Sequence, residues 1–272
     1  MTLFPNAKIN IGLRIVSRRD DGFHNIETIF YPVMVRDILE FVGDDSGNDS
    51  DSLTSTGLVT GCAMKDNLVI RALNLLRLKY NIPALHIHLH KAIPAGSGLG
   101  GGSSDAAFML RYLNRFYRLG LCNNDLKKLA LELGSDCPFF IENRPMYATG
   151  RGEELTPVKP VPGKHFIMIV NPGIEVNTGD AYRLTTPRTP SSDLRKLYNL
   201  PVNEWKGKIV NDFEEVVFKL HPEIGEIREN LYGMGAIYAS MSGSGSSVFG
   251  LFDSAPKGYH FDGNYFTWSG MI

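Results

Sequence analysis

Residues 94–110 read PAGSGLGGGSSDAAFML, glycine and serine set hard against an apolar run. Ahead of them ALHIHLHKAI (84–93) alternates apolar and polar residues in the manner of a strand. Behind them SSDAAFMLRYLNRFY (103–117) carries Ala106, Ala107, Leu110, Leu113 and Asn114 at helical spacing. Strand, glycine loop, helix is a recurrent way to hold phosphate. The first N–H groups of the helix have no partner within it and carry partial positive charge. Glycine lets the backbone approach an anion closely and adopt positive φ. Ser103 and Ser104 add hydroxyls and are expected to cap the helix. A flexible linker is not usually clamped between two periodic flanks. Two familiar phosphate motifs fail. GxxxxGK[ST] needs a lysine that does not follow these glycines. GxGxxG can be laid on Gly96, Gly98 and Gly101, but a run this rich in glycine matches many templates and lies far from the first strand.

The chain has 272 residues and a formal net charge of -1, enough for two ordinary domains or one large one. That balance argues against a general nucleic-acid or membrane-surface binder, and no apolar run is long enough to span a bilayer. The opening MTLFPNAKINIGLRIV alternates like a strand and lacks the layout of a signal peptide. Cys62, Cys122 and Cys137 include no CxxC pair, which points to reduced thiols rather than a disulfide framework or a zinc site.

Along the chain, residues 7–16 place Ile9, Ile11, Leu13 and Ile15 on one strand face, with Lys8 and Asn10 on the polar one. Asp21-Gly22 marks a reversal, 26–42 is more strand-like material, and GDDSGNDSDS (43–52) is a solvated loop without EF-hand spacing. A helix is predicted over 66–80, capped by Asp66 or Asn67. His86, His88 and His90 share one face of the strand before the glycine loop, the expected wetted side rather than a metal site. NNDLKKLALELG (123–134) is a helix with an Asn/Asp start and a Gly stop. SDCPFFI (135–141) breaks the pattern and leads into an apolar strand, and MYATGRGEELTPV (146–158) forms a hairpin. Prolines cluster in PVKPVPGKH (157–165), the expected boundary between domains 1–157 and 158–272. Beyond it come the strand FIMIVNPG, helices in NDFEEVVFKL and PEIGEIRENLYGM, and the small-residue loop SMSGSGSS running into the strand VFGLF. The class is mixed α/β.

Pro94, Ala95, Gly96, Ser97, Gly98, Leu99, Gly100, Gly101, Gly102, Ser103 and Ser104, with the alanines that follow, resemble the phosphate-binding motif PxxxGLGxxSSxAA of the GHMP small-molecule kinases. The triple glycine before the serines is similar to members acting on a cytidine-diphosphate-linked methylerythritol. AKINIGLRI, RRDDGFHNIETIF, LGSDCPFFI, ATGRGEELTPV and SMSGSGSSVFGLF resemble further segments of those members, in order, from residue 7 to about 252. The tail after Phe252 finds no counterpart. The resemblance implies a two-domain α/β (α+β) fold with the active site in the interdomain cleft, and ATP with Mg2+ as cofactors. The loop 94–104 would bind ATP, and no magnesium ligand cluster is legible beyond Ser104 as a single candidate ligand.

The residues alone leave Asp136 open between a base and a turn or cap residue, and Lys8 between a functional and a surface lysine. The resemblance implies that Asp136 accepts the acceptor's hydroxyl proton and that Lys8 stabilises developing negative charge beside it. Asn10, two residues on, would orient the substrate. Phe23 matches the family's base-stacking tyrosine, His24 would read the cytosine edge, and Tyr182 with Thr178 nearby would lie opposite. Gly179 stands where the family commonly has proline. Gly243 and Gly245 would let their loop approach the substrate's phosphates. The expected partner is this small molecule, without nucleic acid or membrane, in a monomer or weak homodimer of the bacterial cytoplasm. Another GHMP kinase, of homoserine or mevalonate type, or an inactive nucleotide-binding regulator would carry much of the same pattern.

Overall fold

A computed structural model describes residues 1–43, 50–59, 61–256 and 261–272. Most of the acidic stretch 43–52 therefore lies outside the described residues. The chain forms two compact units. The first comprises Met1–Ala7, Met34–Ala95 and Gly100–Arg144, the second Lys8–Val33, Gly96–Leu99 and Pro145–Ile272. Among the described residues no helix is long and apolar enough to cross a membrane.

In the first unit the strands Thr2–Leu3, Ile38–Gly43, Leu85–Lys91 and Ser52–Gly57 lie side by side in that order. Leu85–Lys91 runs antiparallel to Ile38–Gly43 and parallel to Ser52–Gly57. Parallel neighbours need a crossover, which contains the helix Leu68–Arg77. Asn67 caps that helix by accepting the Val69 N–H at 2.9 Å. Leu85, Ile87 and Leu89 enter the core. His86, His88 and His90 take the other face, as predicted, and hydrogen-bond to Ser52 at 2.7 Å and to Thr56 at 2.9 and 3.0 Å.

Three local expectations change here. The helix after the glycine loop is Gly101–Phe116, with Gly100 at its cap (φ 71°), so Ser103 and Ser104 sit inside the first turn instead of capping it. Glycine reaches the left-handed region at little cost, and the helix can start at the loop's last such residue. The helix Asn123–Leu133 is capped by Cys122 in a reciprocal box with Asp125, rather than by asparagine or aspartate. SDCPFFI becomes a helix, Cys137–Glu142, not the approach to a strand. Pro138 sits in the first turn, where the missing N–H costs nothing, and Asn143 ends the helix at φ 50°. Phe139, Phe140 and Ile141 are all buried, and so short an apolar run does not declare its period.

The second unit holds two sheets. One orders Asn6–Arg18, His24–Arg36, Met146–Thr149 and Glu154–Pro157, the last two being the predicted hairpin. The reversal at Asp21-Gly22 is present, with Gly22 at φ 84° and the Arg19 N–H donated to the Phe23 carbonyl at 2.8 Å. The other sheet orders Tyr238–Met241, Val248–Phe252, Phe166–Asn171 and Phe266–Met271. The unplaced tail thus supplies an edge strand, with Trp268 opposite Ile169. Phe213, Val217, Ile224, Ile227 and Leu231, in and around the helices Glu214–Leu220 and Pro222–Gly233, pack with Val170, Met241 and Val248. Asn6–Arg18 departs from the predicted half-wetted strand. Ile9, Ile11 and Ile15 are buried, and so are Lys8 and Asn10, each only 2 % exposed. Buried polar groups must be hydrogen-bonded, and these are.

Candidate active site

The glycine loop alternates its backbone. Gly96, Gly98 and Gly100 have φ of 61°, 78° and 71°. Three successive carbonyls anchor it within the second unit. Ser97 accepts the Ser247 N–H at 3.0 Å, Gly98 accepts the Ser242 hydroxyl at 2.9 Å, and Leu99 accepts the Lys8 N–H at 2.9 Å. A Cβ on Gly98 would lie 2.0 Å from the Ser242 carbonyl oxygen, whereas one on Gly96 would meet nothing within 4 Å. Both positions carry the strain of positive φ, so the pair separates strain from clash. Gly98→Ala is expected to raise KM for ATP at least tenfold and to lower Tm by several degrees, with Gly96→Ala well under half as damaging. Thermal melts and ATP titrations on both variants check this; equal effects would contradict the close approach.

In the first unit, the amides of Gly101, Gly102 and Ser103 fall in the helix's first turn, which has no internal acceptors for them. Ser104 donates the first helical bond, to the Gly100 carbonyl at 2.9 Å. Its hydroxyl is buried without a hydrogen-bond partner. Beneath this turn lies a buried cluster absent from the sequence reading. Lys91 Nζ pairs with Asp37 Oδ2 and, at 2.7 Å, with Asp105 Oδ2. Burial pushes the Asp105 carboxyl up to about 7, Lys91 opposing the rise and Asp37 adding to it. Lys91 Nζ lies 3.2 Å from where a Cβ on Gly101 would stand, so this position also favours glycine.

Lys8 Nζ donates to Asn10 Oδ1 at 2.6 Å and stands 5.2 Å from the Phe30 ring centroid. Asn10 donates through Nδ2 to Thr28 Oγ1 at 3.0 Å, and the threonine passes its own proton to the Gly12 carbonyl at 2.5 Å. The Asn10 N–H reaches Ser242 Oγ at 3.2 Å, the hydroxyl that donates to Gly98. Gly243 (φ 59°) packs so that a Cβ would lie 3.3 Å from Gly98 Cα and 3.5 Å from Asn10 Oδ1. Asn211 Nδ2 bonds the Met241 and Gly243 carbonyls, both at 2.8 Å, and Asn171 Nδ2 holds Ser246 and Ser247 at 3.0 and 3.1 Å. Gly245 has φ 96°. Lys8, Asn10, Gly98, Leu99 and Gly243 thus form one constellation. The glycine loop has no lysine of its own, but its Leu99 carbonyl accepts the peptide N–H of a buried one.

Thr178 opens the helix Thr178–Leu184 and shares a 2.8 Å hydrogen bond with Ser244. His24 stacks on Tyr182, ring centroids 4.8 Å apart at 18°, and Tyr182 meets Phe213 edge-on. Burial, and then the Arg18 guanidinium, lower the His24 pKa and so favour the neutral ring. A neutral ring offers one donor and one acceptor to a base edge. Phe23 is 48 % exposed. Asp136 belongs to the first unit, half-buried at the cap of Cys137–Glu142, and makes no side-chain hydrogen bond to that helix's first turn. Its neighbour Cys137 is buried, which pushes the thiol up to about 12, with Ser103 hydrogen-bonded to it. That keeps the cysteine out of any nucleophilic role.

Chemically, the first unit offers the amides of the first turn of Gly101–Phe116 and the carboxyl group of Asp136, and the second unit offers the buried Lys8. Lys91, Asp37, Thr28, Ser242, Asn171 and Asn211 escaped sequence reading because their roles come from pairing across distant segments. Only Lys91, a charge closing the strand before the loop, left a local trace.

Residues 67–144 match the GHMP kinases N terminal domain and 197–259 the GHMP kinases C terminal region. The chain is similar to 4-diphosphocytidyl-2-C-methyl-D-erythritol kinase of Parabacteroides distasonis, 50 % identical with 100 % of each chain covered. It is 46 % identical to the protein of that name from Bacteroides thetaiotaomicron, over 95 % of this chain and 93 % of the other. A crystal structure of 4-(cytidine 5'-diphospho)-2C-methyl-D-erythritol kinase superposes with a TM-score of 0.79 at 34 % identity, covering 93 % of this chain and 90 % of that one. A homoserine kinase from Cytophaga hutchinsonii shares the fold, with a TM-score of 0.65 at 18 % identity over 100 % of this chain and 93 % of that one.

Proposed function

The chain belongs to the GHMP kinase family, and on that premise we propose that it phosphorylates the 2-hydroxyl of 4-diphosphocytidyl-2-C-methyl-D-erythritol with ATP, in non-mevalonate isoprenoid precursor synthesis. The substrate assignment is supported by near-full-length likeness to relatives of that name. The observation that carries the reaction is Lys8. It is a buried lysine, bonded through its peptide N–H to the glycine loop and through Nζ to Asn10.

The glycine loop fits a triphosphate: unpaired first-turn amides, two glycines that exclude a Cβ, and a buried Ser104 hydroxyl without a partner. ATP, when bound, supplies the γ-phosphoryl group. Lys8 stabilises negative charge developing at the acceptor oxygen, where a desolvated ammonium acts far more strongly than in water. Asp136 takes the hydroxyl proton. Carboxylates are weak bases, so its contribution lies in position and in accepting that proton late. Asn10 orients Lys8 Nζ. Phe23, His24, Tyr182 and Thr178 hold the cytidine end, and Gly243 and Gly245 give its phosphates room. Mg2+ accompanies ATP. With a nucleotide, Mg2+ typically keeps waters and binds phosphate oxygens plus few protein groups.

The halves 1–157 and 158–272 are proposed as the two inherited domains, with one family match falling in each. We place the enzyme in a bacterial cytoplasm as a monomer or weak homodimer. Steady-state ADP release, measured with the cytidyl alcohol, mevalonate and homoserine as acceptors, tests the assignment. Turnover with the first alone is expected; turnover with another acceptor and not the first would overturn it.

A further inference from the structure

We propose that Arg151 is a positioning residue for the nucleoside end of the substrate: its guanidinium backs one face of Phe23, so that the opposite face is presented as a fixed platform for the pyrimidine. The assignment rests on the function proposed above. Arg151 Cζ lies 3.7 Å from the Phe23 ring centroid, the distance of a planar group stacked on a ring. Phe23 needs such a partner. It is 48 % exposed at a turn, where a phenyl side chain left to itself samples several rotamers and loses that freedom on binding.

Both members of the stack are held by their backbones. The Phe23 N–H donates to Asp21 Oδ1 at 3.1 Å, and the Phe23 carbonyl accepts from Arg19 at 2.8 Å. Arg151 stands between Gly150 (φ 67°) and Gly152 (φ 108°) in the hairpin joining Met146–Thr149 to Glu154–Pro157, and its N–H donates to Glu153 Oε2 at 2.5 Å. The Ile26 N–H bonds the Gly150 carbonyl at 2.8 Å, fixing that hairpin to the strand that follows Phe23. Asp21 links the two. Against its desolvation, the Phe23 N–H and then the Arg19 and Arg151 guanidiniums hold its carboxyl below the usual range. Tyr182 already stacks on His24 at 4.8 Å and meets Phe213 at 4.9 Å, which leaves Phe23 as the ring of this group most open to a base.

A residue that acts by immobilising Phe23 is coupled to Phe23, and a double-mutant cycle reads that coupling. Arg151→Met should raise KM for the cytidyl acceptor about 3- to 10-fold, the worth of one side chain's lost freedom. KM for ATP and kcat should stay near wild type. In a Phe23→Leu background the same substitution should change KM for the acceptor by less than about 1.5-fold, because no ring remains to be held. Arg151→Lys, which keeps the charge but not the planar fork, should resemble Arg151→Met more than wild type. An unchanged acceptor KM in Arg151→Met overturns the proposal, and so does an equal rise in both backgrounds. Wild-type enzyme inactive on the cytidyl acceptor would instead remove the function on which the proposal rests.

Discussion

Asp136→Asn is expected to lower kcat by about 10²- to 10⁴-fold, the ordinary worth of a positioned general base, and to leave KM for ATP near wild type. Asparagine preserves the shape and removes the proton acceptor, so the loss falls on an interaction made in the transition state. The fold should tolerate the change. Asparagine keeps the side chain's shape at the cap of Cys137–Glu142, and Phe139, Phe140 and Ile141 hold that helix in the core. Single-turnover kinetics with saturating ATP isolates the chemical step. A wild-type rate would take Asp136 out of the proton's path and leave charge stabilisation as the whole of catalysis.

Lys8→Met should cost about 10²- to 10³-fold in kcat, comparable to removing one preorganised donor from a transition state. Methionine nearly conserves volume at a buried position, so the protein should still fold. It removes the donor now 2.6 Å from Asn10 Oδ1 and leaves that buried acceptor only the long 3.5 Å contact from the Ser242 hydroxyl, a loss of about 1 kcal/mol or more. A Tm lower by several degrees therefore accompanies the kinetic loss. Lys8→Arg keeps the charge but cannot place a compact ammonium between Asn10 and the Phe30 ring, and should not restore kcat. Retained kcat in Lys8→Met, with ATP saturating, would contradict the role assigned to the ammonium.

The strand, loop and helix around residues 84–117 were legible because their periodicity changes from two to 3.6 across a glycine run, and local geometry decides such elements. The run after Asp136 reads as the approach to a strand and folds as the helix Cys137–Glu142. That apolar run is buried throughout, and burial on all sides erases the alternation that separates strand from helix. Lys8 was placed on a polar face because charged residues are rarely buried. Its burial depends on Asn10, Thr28 and Ser242, the last of which meets the strand more than two hundred residues later in the chain. The Lys91, Asp37 and Asp105 cluster was invisible for the same reason, since each is an ordinary surface residue until the others arrive. The edge strand Phe266–Met271 takes its register from Phe166–Asn171, about a hundred residues earlier, a pairing that no local pattern declares. The two compact units interleave along the chain, an arrangement no composition shift at Pro157 could reveal.

The most direct test of the central claim is phosphorus NMR of a reaction containing the protein, ATP, Mg2+ and 4-diphosphocytidyl-2-C-methyl-D-erythritol. One new phosphomonoester resonance is expected, on the carbon bearing the 2-hydroxyl, with the cytidine diphosphate linkage intact and one ADP formed per ester. Inorganic phosphate in place of the ester, or an ester appearing only when mevalonate or homoserine is the acceptor, would contradict it.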